Sequence, residues 1–156
     1  MNFKIRKALP EDFPSILEMV HALAEFEQEP DKVTNTIEQM LAEQEYFECF
    51  VAVDKKDLEI IGFCLYYFVY YTWVGKSMYL DDLYVKEAKR GMGVGSELLK
   101  TLFKTAKENN CKRLRWQVLD WNTNAIALYE KLGADIQKNW LNCDLEHEAI
   151  LQMGDH

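Results

Sequence analysis

Apolar and polar positions change rhythm several times along this chain, and each change marks an element. Phe3–Lys7 alternates apolar and basic residues, the period of a half-buried strand. Pro10, Glu11 and Asp12 then open a helix over Phe13–Phe26, where Ile16, Leu17, Val20, Leu23 and Ala24 form one apolar stripe. Asp12 or a neighbour is expected to cap it and Pro30 to stop it. Thr34 is expected to cap a shorter helix through Ile37, Met40 and Leu41. Residues 47–53 and Ile60–Tyr71 read as strands joined by the polar turn Asp54-Lys55-Lys56-Asp57, and residues 72–76 turn the chain into a further strand over 77–85. Leu98, Leu99, Leu102, Phe103 and Ala106 recur at helical spacing within residues 96–107. Residues 113–119 read as a strand, 122–132 as a helix ended by Gly133, and 134–138 with 140–145 as two short closing strands.

Between the strand at 77–85 and the helix at 96–107 lies a basic, glycine-rich turn, Arg90-Gly91-Met92-Gly93-Val94-Gly95-Ser96. Its three glycines permit positive φ and remove side chains that would keep a ligand from the backbone. The helix it opens presents unpaired N–H groups, which attract anions. With Lys86, Lys89 and Arg90 just upstream, the segment reads as a phosphate cradle. It is not the dinucleotide pattern, which needs G-x-G-x-x-G near the first strand and an acid some 20 residues on, where Arg115 and Trp116 stand here. It is not the mononucleotide loop either, since no Gly-Lys-Ser/Thr occurs. The strand, helix, strand unit around this turn is the one clear parallel crossover, so a ligand is expected where the sheet splits.

Following the segment YLDDLYV, R-G-x-G-x-G resembles the pyrophosphate-binding signature of the GNAT superfamily of acyl-CoA N-acyltransferases. The order of elements is similar to the GNAT fold over essentially the whole chain. That implies an α/β (α+β) architecture, a mixed and mostly antiparallel sheet flanked by about four helices, in a single domain over residues 1–156. Three blocks, FCLYYFVYYTWVGKSMYLDDLYV, RGMGVGSELL and WNTNAIALYEKLGA, resemble the diamine (spermidine/spermine) and thialysine acetyltransferases. The resemblance implies direct transfer of acetyl from acetyl-CoA to a primary amine in a ternary complex, with no metal and no covalent acyl-enzyme. A diamine or polyamine is the first expectation for the amine, and a lysine- or thialysine-type amine the alternative. It places the cofactor on Leu83, Tyr84, Val85, Arg90, Gly91, Met92, Gly93, Val94, Gly95, Ser96 and Asn122. It places the general acid at Tyr129 and pocket acids at Asp81 and Asp82, Asp81 standing where diamine acetyltransferases carry a glutamate. Glu27, Trp73 and Trp140 match substrate-pocket positions, and a homodimer is implied.

Chemistry agrees on what is needed. An alkyl ammonium with a pKa of about 10.4 cannot attack a thioester, and freeing its lone pair at pH 7 costs roughly 4–5 kcal/mol. A carboxylate near the amine, direct or through water, is the first requirement. Tyrosine, with a pKa near 10, could protonate a departing thiolate of pKa near 8.5 only about 2 kcal/mol uphill. Because adjacent strand residues face opposite sides, Asp81 and Asp82 are not expected to serve one surface. As the shorter acid, Asp81 suits a water relay better than direct abstraction. Glu25, Glu27 and Glu29 crowd the end of the first helix, where the dipole prefers cations; they form either a solvated acidic end or a site for a cationic ligand.

The 156 residues, 49% hydrophobic, suffice for one core-bearing domain. A net charge of −8 argues against a nucleic-acid surface and is permissive for a small cationic partner. Cys49, Cys64, Cys111 and Cys143 form no C-x-x-C pair and read as reduced core thiols. The charged N-terminus lacks the apolar run of a signal peptide, and the longest uncharged stretch, residues 60–75, is too short to span a bilayer, so a soluble cytoplasmic chain is expected. A catalytically silent acyl-CoA-binding module is the reading from another class. The coexistence of Tyr129 with pocket carboxylates weighs against it.

Overall fold

The near-continuous apolar run from Cys49 to Val53 needs cover on both faces, and the fold supplies it. In the computed structural model, which describes residues 1–154, strands β1 (Phe3–Lys7), β2 (Glu48–Asp54), β3 (Ile60–Tyr71), β4 (Gly75–Val85) and β5 (Leu114–Arg115) lie in the order β1-β2-β3-β4-β5. The first four pair antiparallel and β4 pairs with β5 in parallel. Helices α1 (Phe13–Phe26) and α2 (Ile37–Ala42) cover one face, where Ile16, Met19 and Met40 pack on Cys49, Val51 and Phe63. Helix α3 (Val94–Glu108) covers the other, with Val94, Leu98 and Leu102 on Phe50, Ala52, Cys64 and Met78. These elements belong to a first compact unit, Met1–Gln117; a second begins at Val118.

Helix ends depart from expectation for local reasons. Asp12 holds the N-cap position of α1, but its side chain makes no cap bond there. It ends a 3₁₀ turn over Pro10–Asp12, accepting from the Leu9 N–H at 2.7 Å and from both terminal nitrogens of Arg6 at 2.6 and 2.9 Å. Nor does Pro30 stop α1. The helix closes earlier, in a Schellman turn with Gln28 at φ 65° and the Glu29 N–H bonded to the Ala24 carbonyl at 2.9 Å. Thr36, rather than Thr34, caps α2, its hydroxyl accepting from the Gln39 N–H at 3.1 Å.

Gly62, silent in the sequence, governs how closely β3 meets β4 and α3. A Cβ there would lie 2.9 Å from the Tyr84 carbonyl oxygen and 3.3 Å from a Val94 methyl. Gly62→Ala should destabilise the fold by about 1–3 kcal/mol, the cost of overpacking, measured as a lower urea midpoint at unchanged slope.

The strand expected over 113–119 shrinks to two residues, pairing Met78 with Leu114 and Tyr79 with Arg115. Pairing stops where β4 acquires an extra residue and bends, since a bulge disrupts the ladder and raises the local twist. In the second unit, α4 (Thr123–Lys131) forms close to expectation, and Gly133 at φ 86° ends it. The closing strands expected at 134–138 and 140–145 are not formed. An additional helix, α5 (His147–Gly154), follows instead, so there are five α-helices rather than about four among the described residues. Alternation alone makes no strand without a neighbour to pair with. Among the described residues no helix is long and apolar enough to cross a membrane.

Candidate active site

The bulge in β4 shapes the acidic end of the site. Leu65 of β3 sits opposite Asp82 while Tyr66 sits opposite Leu80, so Asp81 has no cross-strand partner. Its insertion shifts the phase of the strand. Met78 and Leu80 pack toward α3, but beyond the bulge so do Leu83 and Val85, while Tyr84 joins the α1 face. Tyr79 before the extra residue and Asp82 after it therefore share the α1 side, and Asp81 is brought with them. Simple alternation, which separates the two aspartates, does not hold here.

The electrostatics agree with that placement. Asp82 and Glu27 line one cavity of about 290 Å³, together with Val20, Leu23, Ala24, Glu29, Lys32 and Val33. Burial, reinforced by the charges of Asp81 and Glu27, pushes the Asp82 carboxyl up to about 7. Burial and then the Asp81 charge raise Glu27, and burial alone raises Asp81. Three carboxyl groups that repel one another, Asp82 half-buried and Asp81 and Glu27 more open to solvent, make a place where a cation is favoured and a proton is held near neutrality. Glu27 is the C-cap residue of α1, at the Schellman turn that ends the helix beside the cavity.

Sequence reasoning missed several residues of this region. Tyr67 and Tyr79, paired across β3 and β4, stack with ring centroids 5.4 Å apart beside Asp81. Burial raises both phenols, Tyr79 to about 12, and Asp81 contributes to each. Lys32 enters the cavity from the 3₁₀ turn Pro30–Lys32, its ammonium 3.0 Å from Glu29. The two-residue spacing of Tyr79 and Asp81 was a usable signal for the tyrosines; nothing local pointed to Lys32. Trp73, by contrast, stands 83% exposed in the turn between β3 and β4. About 3.3 Å per strand residue puts it on the order of 25–30 Å along β4 from Asp82, so this unit does not bring it to the acids.

At the far end of β4, Leu83, Tyr84 and Val85 lead through a 3₁₀ turn, Glu87–Lys89, into the glycine segment. Only two of its glycines use a positive φ, Gly91 at 76° and Gly93 at 83°. Gly95 is helical, and a Cβ there would rest 3.6 Å from a Val85 methyl, an ordinary contact. The first bond inside α3 runs from the Glu97 N–H to the Gly93 carbonyl, so the amides of Val94, Gly95 and Ser96 have no acceptor within the helix. Gly91 and Gly93 leave open space where side chains would stand, and Met92 is exposed. The turn thus offers backbone amides and open space to an anion. Of the upstream cations, Lys86 is bound to Glu59 at 2.8 Å and Lys89 to Asp54 at 2.7 Å, while exposed Arg90 donates only through its Nε, to the Val85 carbonyl at 3.1 Å.

In the second unit, Asn122 caps α4, its side-chain oxygen accepting from the Ala125 N–H at 3.3 Å. Tyr129 is half-buried on the same helix, and burial raises its phenol. Trp140 is exposed on a segment without regular structure. No group of three or more His, Cys, Asp or Glu able to hold a metal ion occurs among the described residues.

A mixed sheet opened beside a bulged fourth strand, with an amide-lined turn leading into the following helix, defines an acyl-transfer fold. The model of the acetyltransferase (GNAT) family matches residues 5–134, and the chain belongs to that family, whose co-substrate is acetyl-CoA. It is 37% identical over 163 aligned positions to a thialysine N-epsilon-acetyltransferase from Sus scrofa, covering 96% of each chain. It is 32% identical to a human spermidine/spermine N(1)-acetyltransferase-like protein 1, covering 97% of this chain and 24% of the relative. An integron cassette protein from the mobile metagenome of V. cholerae shares the fold with a TM-score of 0.77 at 23% identity, covering 100% of this chain and 99% of that one. Acetyl transfer to nitrogen is the reaction class of the chain.

Proposed function

We propose that this enzyme acetylates the side-chain amine of a lysine-like amino acid, thialysine being the model substrate, in preference to diamines and polyamines. The similarity to thialysine acetyltransferases over nearly the full length of both chains carries the reading. The cavity supports it physically. Glu27 and Asp82 suit an ammonium, and Lys32 in the same cavity, paired with Glu29 at 3.0 Å, is the cation that can turn from that partner to a substrate carboxylate. An amino acid presents both charges, whereas a polyamine presents only cations.

In this reading the amides of Val94, Gly95 and Ser96 hold the pyrophosphate of acetyl-CoA, whose thioester supplies the acetyl group. Asp82, poised near neutrality, takes the proton from the attacking ammonium directly or through water; Asp81 and Glu27 keep its affinity for that proton high. Tyr129 donates the proton that the departing thiolate needs. Asn122 is a cofactor contact and Trp140 a substrate contact in the same reading. A homodimer belongs to the same reading, since Leu141, Leu145, Ile150 and Leu151 offer exposed apolar surface that a second copy would cover. Sedimentation at micromolar concentration would reveal a monomer if this is wrong.

A thiol-release assay across thialysine, lysine, ornithine, putrescine and spermidine tests the substrate. Thialysine or lysine should exceed the diamines by at least about tenfold in kcat/KM, on the order of 1.4 kcal/mol of discrimination. Lys32→Ala should narrow that gap. A ranking led by putrescine or spermidine would restore the polyamine reading, and absence of turnover with every amine would favour a silent acyl-CoA-binding module. Gly93→Val tests the turn: a β-branched residue at φ 83° strains the backbone by about 1–2 kcal/mol and crowds the amides. Acetyl-CoA affinity by calorimetry on the folded variant should fall at least about tenfold, and unchanged affinity would move the pyrophosphate elsewhere.

A further inference from the structure

The glycine segment packs almost nothing of its own. Gly91 and Gly93 would meet no neighbour within 4 Å even with a Cβ, and Met92 is exposed. Its position must therefore be set by its flanks. Downstream the flank is α3, anchored by buried Val94 and Leu98. Upstream it is the short stretch from Lys86 to Arg90, which contributes no buried residue. Arg90 is tied to β4, its Nε on the Val85 carbonyl and its guanidinium over the Tyr84 ring, while the two lysines of the stretch are held by ion pairs from one remote turn. Asp54, at the end of β2, is itself buried; one carboxylate oxygen accepts from the Lys56 N–H at 2.9 Å and the other from the Lys89 ammonium at 2.7 Å. Glu59, at the other side of the same turn, binds Lys86 at 2.8 Å. The Lys86 N–H adds a bond to the Ile61 carbonyl at 2.9 Å.

We propose that Asp54 and Glu59, in the turn between β2 and β3, are positioning residues for pyrophosphate binding: through Lys89 and Lys86 they clamp the entrance of the glycine segment so that its amides stand ready for the anion. Neither acid meets the ligand. The two lysines thus act as struts, and their charge is spent within the protein rather than on phosphate. Pre-setting the turn removes part of the ordering cost that binding would otherwise bear. The proposal rests on the reading that this segment holds the pyrophosphate of acetyl-CoA, and the test separates the two.

Asp54→Asn keeps an oxygen for the Lys56 N–H and removes only the charge facing Lys89; Lys89→Met removes the strut from the other side. Each is compared with the parent for KM of acetyl-CoA and of S-acetyl-pantetheine, which carries the thioester but no pyrophosphate, with thialysine as amine and thermal melting as a check on folding. KM for acetyl-CoA should rise about 5- to 20-fold in both variants, while kcat at saturation and KM for S-acetyl-pantetheine stay within about twofold of the parent. The double variant should be no worse than either single one, because one pair is lost in each case. Equal losses for both acyl donors would make the effect a general structural one and overturn the clamp. Unchanged or tighter acetyl-CoA binding would overturn it too, the latter showing a lysine released to the phosphates. If the parent itself did not prefer acetyl-CoA to S-acetyl-pantetheine, the pyrophosphate reading would fall, and the clamp with it.

Discussion

Asp82→Asn should lower kcat/KM for any amine at pH 7 by about 10²- to 10⁴-fold, the range of a lost general base. The pH profile makes the expectation specific. With its carboxyl pushed up to about 7, the parent gains activity as Asp82 ionises and then levels off, because the base accepts a proton from an amine that is still an ammonium. The asparagine variant depends on free amine and should keep climbing with unit slope toward pH 10, so that its deficit shrinks in alkali. A constant deficit at every pH would assign Asp82 to binding instead. Stability should move the other way. A carboxyl whose folded pKa lies above its unfolded value favours the fold while protonated, and this contribution is lost as pH rises through the folded pKa near 7. The variant should thus melt higher than the parent at pH 8 and equally at pH 4. Asp82 is half-exposed and its repulsion partly screened, so a gain on the order of 1–2 kcal/mol is expected.

Tyr129→Phe should cost turnover about 10²- to 10⁴-fold with the fold retained and little change in KM, since the ring stays and only the hydroxyl leaves. Burial raises the phenol, which keeps it protonated throughout the working range. The loss should be smaller with acyl donors whose thiols are more acidic, because their leaving groups need the proton less. Parent and variant rates within about threefold of each other would make Tyr129 a packing residue.

Much of the chain could be read from short stretches of sequence. α1 and β3 appear with the bounds that their periodicity implies, and β4 and α3 within two residues of them. The glycine segment announces a turn with positive φ and open amides, and the resemblance carried by YLDDLYV and RGMGVGSELL extends to the family. The preference among amines is less legible: polyamines are the first expectation from the sequence, and the relatives favour the lysine-type alternative. The quoted blocks resemble both classes of enzyme alike, and Lys32, the cation of the acidic cavity, carries no local mark.

What sequence alone determined, then, is whatever is encoded within about ten residues: the period of each helix and strand, the glycine turn, and the caps of α2 and α4 to within a few positions. Tertiary structure decided the rest. Alternation puts Asp81 and Asp82 on opposite faces, yet the extra residue in β4, visible only against the register of β3, brings both to the α1 side with Glu27. Lys86 and Lys89 read as phosphate ligands until Glu59 and Asp54, 27 and 35 residues earlier, occupy them. Residues 134–138 and 140–145 alternate like strands and form none. The reason is common to all three: a helix closes its hydrogen bonds within its own turns, whereas the phase of a strand, the partner of a charge and the existence of a ladder are set by residues far away in the chain.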